Sequence, residues 1–206
     1  MKIVITGYCK MTNASAGRVF MNNKKRMRKV RPVHELDTLL IAAVSKLLDC
    51  AGIAFPLGNA HIGMYIGIDD SIEEIKNDYF SSIIREGIMG VSPLIFPFTS
   101  PNALAAQASV AFDIRGECIT LSGKNSFDEA VQYGVESLFH HHILTAIAGS
   151  ITKNKTGRVN KGMFTACFLF LEPMEEALKR KQPFISLTEE MIIDESIWTD
   201  RRDKDQ

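Results

Sequence analysis

Apolar positions along this chain fall into two rhythms, short unbroken runs and longer stretches with a period of about 3.6, and the two alternate from end to end. Such alternation predicts an α/β layered fold with a largely parallel sheet. Lys2 to Thr6 is a β-branched run closed by Gly7 and reads as a buried first strand. Gly17 to Pro32 is polar and basic without a clean apolar period, so it is expected to be a surface excursion. From Glu35 the residues Leu36, Leu39, Leu40, Ala43, Val44, Leu47 and Leu48 recur at helical spacing, and Gly52 supplies the stop. Ile62 to Ile68, bounded by Asp69 and Asp70, reads as a second central strand.

The same logic carries through the second half. Ser71 followed by Glu74 is a capping-box pattern, opening a helix whose inner face is Ile72, Ile75, Tyr79 and Ile83. Ser100-Pro101 sets up another helix start, with proline at the first helical position, and the many alanines from Ala103 to Ala108 imply close packing. Glu117 to Ser122 is the next strand. Ser126 with Glu129 forms a second capping box, and Phe127, Ala130, Val131, Val135 and Leu138 are the buried stripe of the helix it opens. Ile143 to Ala148 and Phe164 to Leu171 are strands, and Glu172-Pro173 begins a helix whose closing Lys179-Arg180-Lys181 suits the negative end of its dipole. The expected organisation is one domain over 1–198 and a charged, fraying tail over 199–206.

Composition narrows the function classes. With 206 residues and 46% hydrophobic content, the chain is long enough to bury a core without staples. Lysine plus arginine equals aspartate plus glutamate at 24 each, so no global field attracts nucleic acid or an acidic membrane surface. The apolar stretch after Met1 is too short for a signal peptide, and no run reaches transmembrane length, so a cytoplasmic protein with no membrane partner is expected. Cys9, Cys50, Cys118 and Cys167 contain no CxxC pair, and three of them sit in apolar runs; reduced, buried thiols are expected.

Two constellations invite chemistry and have plainer readings. His140, His141 and His142 in a row suggest a metal, but adjacent histidines at a helix end diverge, and cations at a helix C-terminus are the expected role; no metal or cofactor is implied. Ser126 with His140 suggests a serine hydrolase, but there is no G-x-S-x-G elbow and no acid placed to orient the base.

Five strings in order, spread over roughly 170 residues, carry a more specific signal. They are Val4-Ile5-Thr6-Gly7, the helix from His34 ending in Asp49-Cys50-Ala51-Gly52, and Phe96-Pro97-Phe98-Thr99-Ser100-Pro101-Asn102-Ala103. Ala111-Phe112-Asp113-Ile114-Arg115-Gly116 and the run from Gly162 to Glu172 complete the set. Together they resemble the N-terminal half of the β-ketoacyl synthases of the thiolase superfamily. The resemblance implies a three-layer α/β/α domain with a mixed five-strand sheet, a single half of the thiolase fold.

In that family a cysteine at a strand-to-helix elbow takes an acyl group from a thioester, its thiolate favoured by the helix N-terminus, and histidines from the C-terminal half promote malonyl decarboxylation. The resemblance places Asn125 where the cysteine belongs, with Lys124 and Ser126 as register alternatives, and none of the three is a thiol. Cys118, earlier in the strand, is expected to be packed away. The chain is thus expected to be chain-length-factor-like: a non-catalytic partner in fatty-acid or polyketide biosynthesis. The alternative is a thioester hydrolase or acyltransferase with altered chemistry at the elbow.

Partners follow from the same resemblance. Lys24, Lys25, Arg26, Arg28, Lys29 and Arg31 form the one dense basic cluster, readable as a docking surface for acyl carrier protein or as a solvated loop. No aromatic residues interleave with these cations, which argues against nucleic acid. A half-fold leaves an apolar face needing cover, so a homodimer or a heteromer with a β-ketoacyl synthase is expected. The family pairs the strand before the elbow across a two-fold axis, making Cys118, Ile119, Thr120 and Leu121 the candidate dimer edge.

Overall fold

A computed structural model describes residues 1–58, 61–154 and 163–187. The chain runs through β1 (Ile3–Thr12), α1 (Asn13–Asn23), α2 (Glu35–Cys50), β2 (Ile62–Ile68), α3 (Glu73–Glu86) and α4 (Asn102–Phe112). It continues through β3 (Cys118–Ser122), α5 (Ser126–Phe139), β4 (Thr145–Lys153), β5 (Phe164–Pro173), α6 (Met174–Lys179) and β6 (Ile185–Ser186). The sheet order is β3-β2-β4-β5-β1-β6. β2 lies parallel to β3 and β4, whereas β5 is antiparallel to β4 and β1. The mixed α/β sheet is therefore as expected, with six strands in place of five. The extra one is β6, whose two residues pair Val4 with Ser186 and Ile5 with Ile185. A two-residue strand has no periodicity to betray it.

Helices cover both faces of this sheet. α2 lies on β1 and β5 with α1 and α4 beside it, and α5 lies across β2 and β4 on the other side. The central strands accordingly bury both of their faces: Met64, Ile66 and Ile68 of β2 join the α2 core, and Tyr65 between them joins the α5 core. β5 divides in the same way, Phe168 and Phe170 to one side and Leu169 and Leu171 to the other. This two-sided burial is why both strands read as unbroken apolar runs.

Two expectations about the first part of the chain are corrected. β1 does not stop at Gly7 but continues to Thr12, with a register shift in its pairing between Ile5 and Gly7. A Cβ at Gly7 would stand 3.0 Å from the Ala51 Cβ and 3.1 Å from the Leu47 carbonyl oxygen, so the glycine admits the end of α2 rather than ending the strand. The segment Gly17 to Pro32 is not simply a surface excursion. It includes most of α1, whose Ala16 and Phe20 are buried one turn apart, and Met27 is buried as well.

Neither capping box forms. α3 begins at Glu73 with Ile72 in the cap position and no side-chain cap, while Ser71 lies buried in a preceding 3-10 turn with its hydroxyl unpartnered. Ser126 is the first residue of α5 rather than its cap; Asn125 holds that position, also without a side-chain cap bond. A capping box does form at α2, with histidine in place of serine or threonine in the cap position. At α2 the His34 Nδ1 accepts from the Leu36 N–H, and the Asp37 carboxylate accepts from the His34 N–H at 3.0 Å.

Candidate functional site

The strand-to-helix elbow forms where the sequence places it. β3 ends at Ser122, Gly123 donates its N–H to the Ile68 carbonyl oxygen at 3.1 Å, and Lys124 and Asn125 lead into α5. Lys124 and Asn125 are exposed, and Ser126 is buried. The Asn125 carbonyl accepts from the Glu129 N–H at 3.0 Å, which locks the first turn. Beneath the elbow α5 approaches β2 very closely. A Cβ at Gly67 would lie 2.2 Å from the Ser126 carbonyl oxygen and 2.4 Å from its carbon, so only glycine fits there. The glycine therefore sets how deeply the helix start seats on the sheet.

An open cavity of about 540 Å³ adjoins the turn, bounded by Ser122, Gly123 and Lys124 on one side and by Asp69, Ile72, Glu73 and Lys76 on the other. Its charges are already engaged in part: the Lys76 ammonium pairs with Glu73 at 2.8 Å, and the Asp69 carboxylate accepts from the Lys153 N–H at 3.1 Å. No cysteine lines it. An amide, an ammonium and a buried hydroxyl are what the elbow offers, and none forms a thioester.

The thiols divide differently from expectation. Cys9 and Cys167 are buried, but Cys50 and Cys118 are exposed. Cys118 opens β3 and so sits at the far end of that strand from the elbow. Although the residue is exposed, burial around its thiol pushes it up to about 11, away from the thiolate a nucleophile needs.

The other two constellations resolve plainly. Ser126 and His140 stand at opposite ends of α5, about 20 Å apart by helical rise, so no serine–histidine pair exists. Among the described residues no group of three or more His, Cys, Asp or Glu side chains could hold a metal ion. His140 instead closes α5, its N–H donating to the Glu136 carbonyl oxygen.

His142 belongs to a network the sequence did not announce. Its Nδ1 lies 3.6 Å from Glu117 Oε1, while Glu117 Oε2 accepts from the Tyr65 hydroxyl at 2.5 Å and the Ser137 hydroxyl at 2.9 Å. The Tyr65 hydrogen bond, aided by Ser137 and His142, holds the Glu117 carboxyl below its usual range. Burial, and then the Glu117 carboxylate, push Tyr65 well above its own. These groups pin the residue before β3 to β2 and to the last turn of α5. A carboxyl depressed in the folded state adds stability above its unfolded value, and that stability is lost as pH falls through the folded value. Glu117→Gln is therefore expected to lower the urea midpoint at neutral pH and to flatten the acid limb of the stability curve; an unchanged acid limb would show that the network contributes nothing.

The basic cluster is split by the fold. Arg26 grips Asp49 through two hydrogen bonds, at 2.8 and 3.2 Å, with its guanidinium 4.1 Å above the Phe55 ring. Arg28 pairs with Asp113 at 2.5 Å, beside Arg115, whose hydrogen bond holds the Asp113 carboxyl below its usual range. Lys24, Lys25, Lys29 and Arg31 are exposed and project from the same stretch.

β3 is an edge of the sheet among the described residues. Ile119, Thr120 and Leu121 are half-buried between the exposed Cys118 and Ser122. Also among the described residues, no helix is long and apolar enough to cross a membrane.

Comparisons with known proteins place this geometry. The fold is shared with the ishigamide ketosynthase/chain length factor, at TM-score 0.65 and 18% identity, covering 89% of this chain and 64% of that one. It is shared with the type II polyketide synthase complex of an acyl-carrier protein with its ketosynthase bound to the hexaketide, at TM-score 0.67, 11% identity, and 89% and 60% coverage. A β-ketoacyl synthase from Burkholderia phymatum gives TM-score 0.63 at 15% identity, with 89% and 62% covered. The chain thus spans less than two thirds of the length of each of these structures, and at such identities the likeness shows the fold. A comparison with curated protein sequences finds no match. Residues 5–179, however, match the family described as "Beta-ketoacyl synthase, N-terminal domain", and the chain belongs to that family.

Proposed function

We propose that this chain is a chain-length-factor-like, non-catalytic partner in fatty-acid or polyketide biosynthesis, acting with a β-ketoacyl synthase, with acyl carrier protein, or with both. The observation that carries the reading is the elbow: a ketosynthase-type strand-to-helix turn whose tip reads Lys124-Asn125-Ser126, with every described thiol elsewhere. In this reading Asn125 stands at the family's nucleophile position. Incubated with acyl- or malonyl-carrier protein, the purified chain is expected to show no covalent adduct by intact mass and no turnover. Adduct formation or turnover by the chain alone would sink this reading in favour of a hydrolase or acyltransferase working at the elbow.

Carrier-protein docking is assigned to Lys24, Lys25, Lys29 and Arg31, because the cations at 26 and 28 are spent on Asp49 and Asp113. Acyl-carrier protein in complex with its ketosynthase is among the structures that share this fold. Reversing Lys24, Lys25 and Lys29 to glutamate is expected to weaken carrier-protein binding about 10-fold or more at low salt, read by titration calorimetry, and to abolish its salt dependence. Arg26→Met is expected to lower the melting temperature and leave that binding unchanged. Equal binding by the triple variant would remove the docking assignment. The edge strand Cys118–Ser122 is assigned to pairing across a two-fold axis with a second chain.

A further inference from the structure

The cations Lys29 and Arg31 sit in a segment that is fastened at both ends. Upstream, Met27 is buried, and Arg28 donates its N–H to the Ala111 carbonyl oxygen at 3.0 Å while its guanidinium pairs with Asp113. Downstream, the fastening is the start of α2. The Asp37 carboxylate is wholly buried and accepts from the N–H groups of Val33 and His34 at 2.9 and 3.0 Å. The His34 ring completes it, Nδ1 accepting from the Leu36 N–H at 3.2 Å. A serine, threonine, asparagine or aspartate in that position accepts at every pH near neutral, but a histidine accepts only while its ring is neutral and the proton sits on Nε2. Protonation sets an Nδ1–H against the Leu36 N–H, donor to donor, and adds positive charge at the positive end of the helix dipole.

We propose that His34 is a protonation switch on the docking segment: the neutral ring caps α2 and fixes the segment, and the protonated ring leaves the cap for the carboxylates of α3. The inference rests on the docking reading of Lys29 and Arg31 and names how that site is regulated. The ring has a place to go. His34 is half-buried beside a cavity of about 200 Å³ whose far wall is α3, with Asp78, Tyr79 and Glu86, and no lysine or arginine lines it. Asp78 and Glu86 are exposed carboxylates, and Glu86 also pairs with Arg85 at 2.8 Å. The turn that closes the cavity, Gly90 to Ile95, brings no charge. On α2 itself Glu35 is held by the Asn13 amide at 2.8 Å, and Asp37 already takes two N–H groups. Both of these carboxylates favour a charged ring, yet neither removes the conflict at Nδ1. In the switched state one of the two fastenings is open, so Lys29 and Arg31 are presented by a looser segment and meet a carrier protein at a higher entropy cost.

The test uses the full chain at about pH 8 and about pH 5, the span in which histidine changes charge. Long-range imidazole correlations in nuclear magnetic resonance are expected to show the His34 proton on Nε2 at the upper pH and protons on both nitrogens at the lower. Exchange of the Leu36 amide is expected to rise about 5-fold relative to that of Ile41 in mid-helix, the scale of one lost cap. His34→Asn, which caps without titrating, is expected to keep that amide protected at both. Contacts of the ring with Tyr79 are expected to strengthen at the lower pH, and to do so no longer in Asp78→Asn combined with Glu86→Gln. Carrier-protein binding, read by titration calorimetry, is expected to weaken about 5-fold more in the wild type than in His34→Asn between the two conditions. Burial raises the Asp37 carboxyl, but Asp37 is present in both chains and drops out of this comparison. Unchanged Leu36 protection, or an Nδ1–H ring at the upper pH, would overturn the switch and leave the docking reading standing. Ring contacts that persist in the double variant would overturn the landing on α3. A responsive Leu36 amide with no carrier-protein binding at either pH would overturn the docking reading, and with it the regulation. Equal weakening in the wild type and His34→Asn would overturn the coupling between switch and docking.

Discussion

Arg180→Met is expected to destabilise the chain by about 3–5 kcal/mol, because it strands a buried carboxylate. Glu172, near the end of β5, is 1% exposed, and its Oε1 accepts from the Arg180 guanidinium and from the Thr6 hydroxyl at 2.5 Å. The same guanidinium donates to the Ala51 carbonyl oxygen at 2.8 Å. One arginine therefore joins the segment after α6 to the end of α2 and to β5, and Thr6 adds β1. Remove it, and the carboxylate keeps its desolvation cost with only a hydroxyl to offset it. Replacing Glu172 by methionine in the same chain is expected to restore most of the loss, since a well-packed apolar pair does about as well as a buried ion pair. Urea unfolding of the two variants checks this. A single-variant loss below about 1 kcal/mol, the range of exposed ion pairs in general, would show that Glu172 finds another partner.

That arginine also marks a boundary of what the sequence shows. Lys179-Arg180-Lys181 reads as a cationic helix end, and for Lys179, paired with Glu176 at 2.6 Å, the reading is adequate. Nothing in local periodicity says that Arg180 turns inward. The same applies to the basic cluster: the partners that remove Arg26 and Arg28 from it lie 23 and 85 residues away along the chain. Long-range ion pairs leave no trace in a hydrophobic pattern. Buried stripes do, which is why α2 and β2 fall where the spacing puts them, β2 at Ile62–Ile68 to the residue.

The misplaced elements have a common cause. Gly7 and the two predicted capping boxes were local signals whose meaning depends on what packs against them. A glycine ends a strand or admits a neighbour, and at Gly7 the end of α2 decides for the latter. A serine before a helix caps it only if it remains outside; Ser126 is 2% exposed and inside the first turn. In α1 only Ala16 and Phe20 are buried, and its apolar residues, Ala14, Ala16, Val19, Phe20 and Met21, hold no clean helical period before the charge that follows. The candidate site was legible to the extent that it is local. Gly123 to Asn125 joins a strand to a helix in both sequence and structure, while the Tyr65–Glu117–Ser137 network, joined from three segments, was not visible.

Gly67→Ala is expected to cost about 3 kcal/mol, the upper range for overpacking a filled core, and to lower the melting temperature by roughly 6–12 °C for a chain of this size. The added methyl would meet the Ser126 carbonyl oxygen at 2.2 Å, its carbon at 2.4 Å and its Cβ at 2.8 Å. None of these is the free end of a flexible side chain. β2 is held between β3 and β4 and cannot retreat, so the strain falls on the start of α5. The proposed function depends on that helix start holding Asn125 at the tip of the elbow, so the substitution is also expected to displace the elbow. Amide exchange in residues 123–129 is expected to rise more than in β4, whose pairing the methyl does not touch. Gly17→Ala provides the opposite case. Nothing lies within 4 Å of its added Cβ in α1, and the alanine is expected to stabilise by up to about 1 kcal/mol. If Gly67→Ala melted with the wild type, the tight seating of the elbow on β2 would be wrong, and with it the placement of Asn125 on which the functional reading stands.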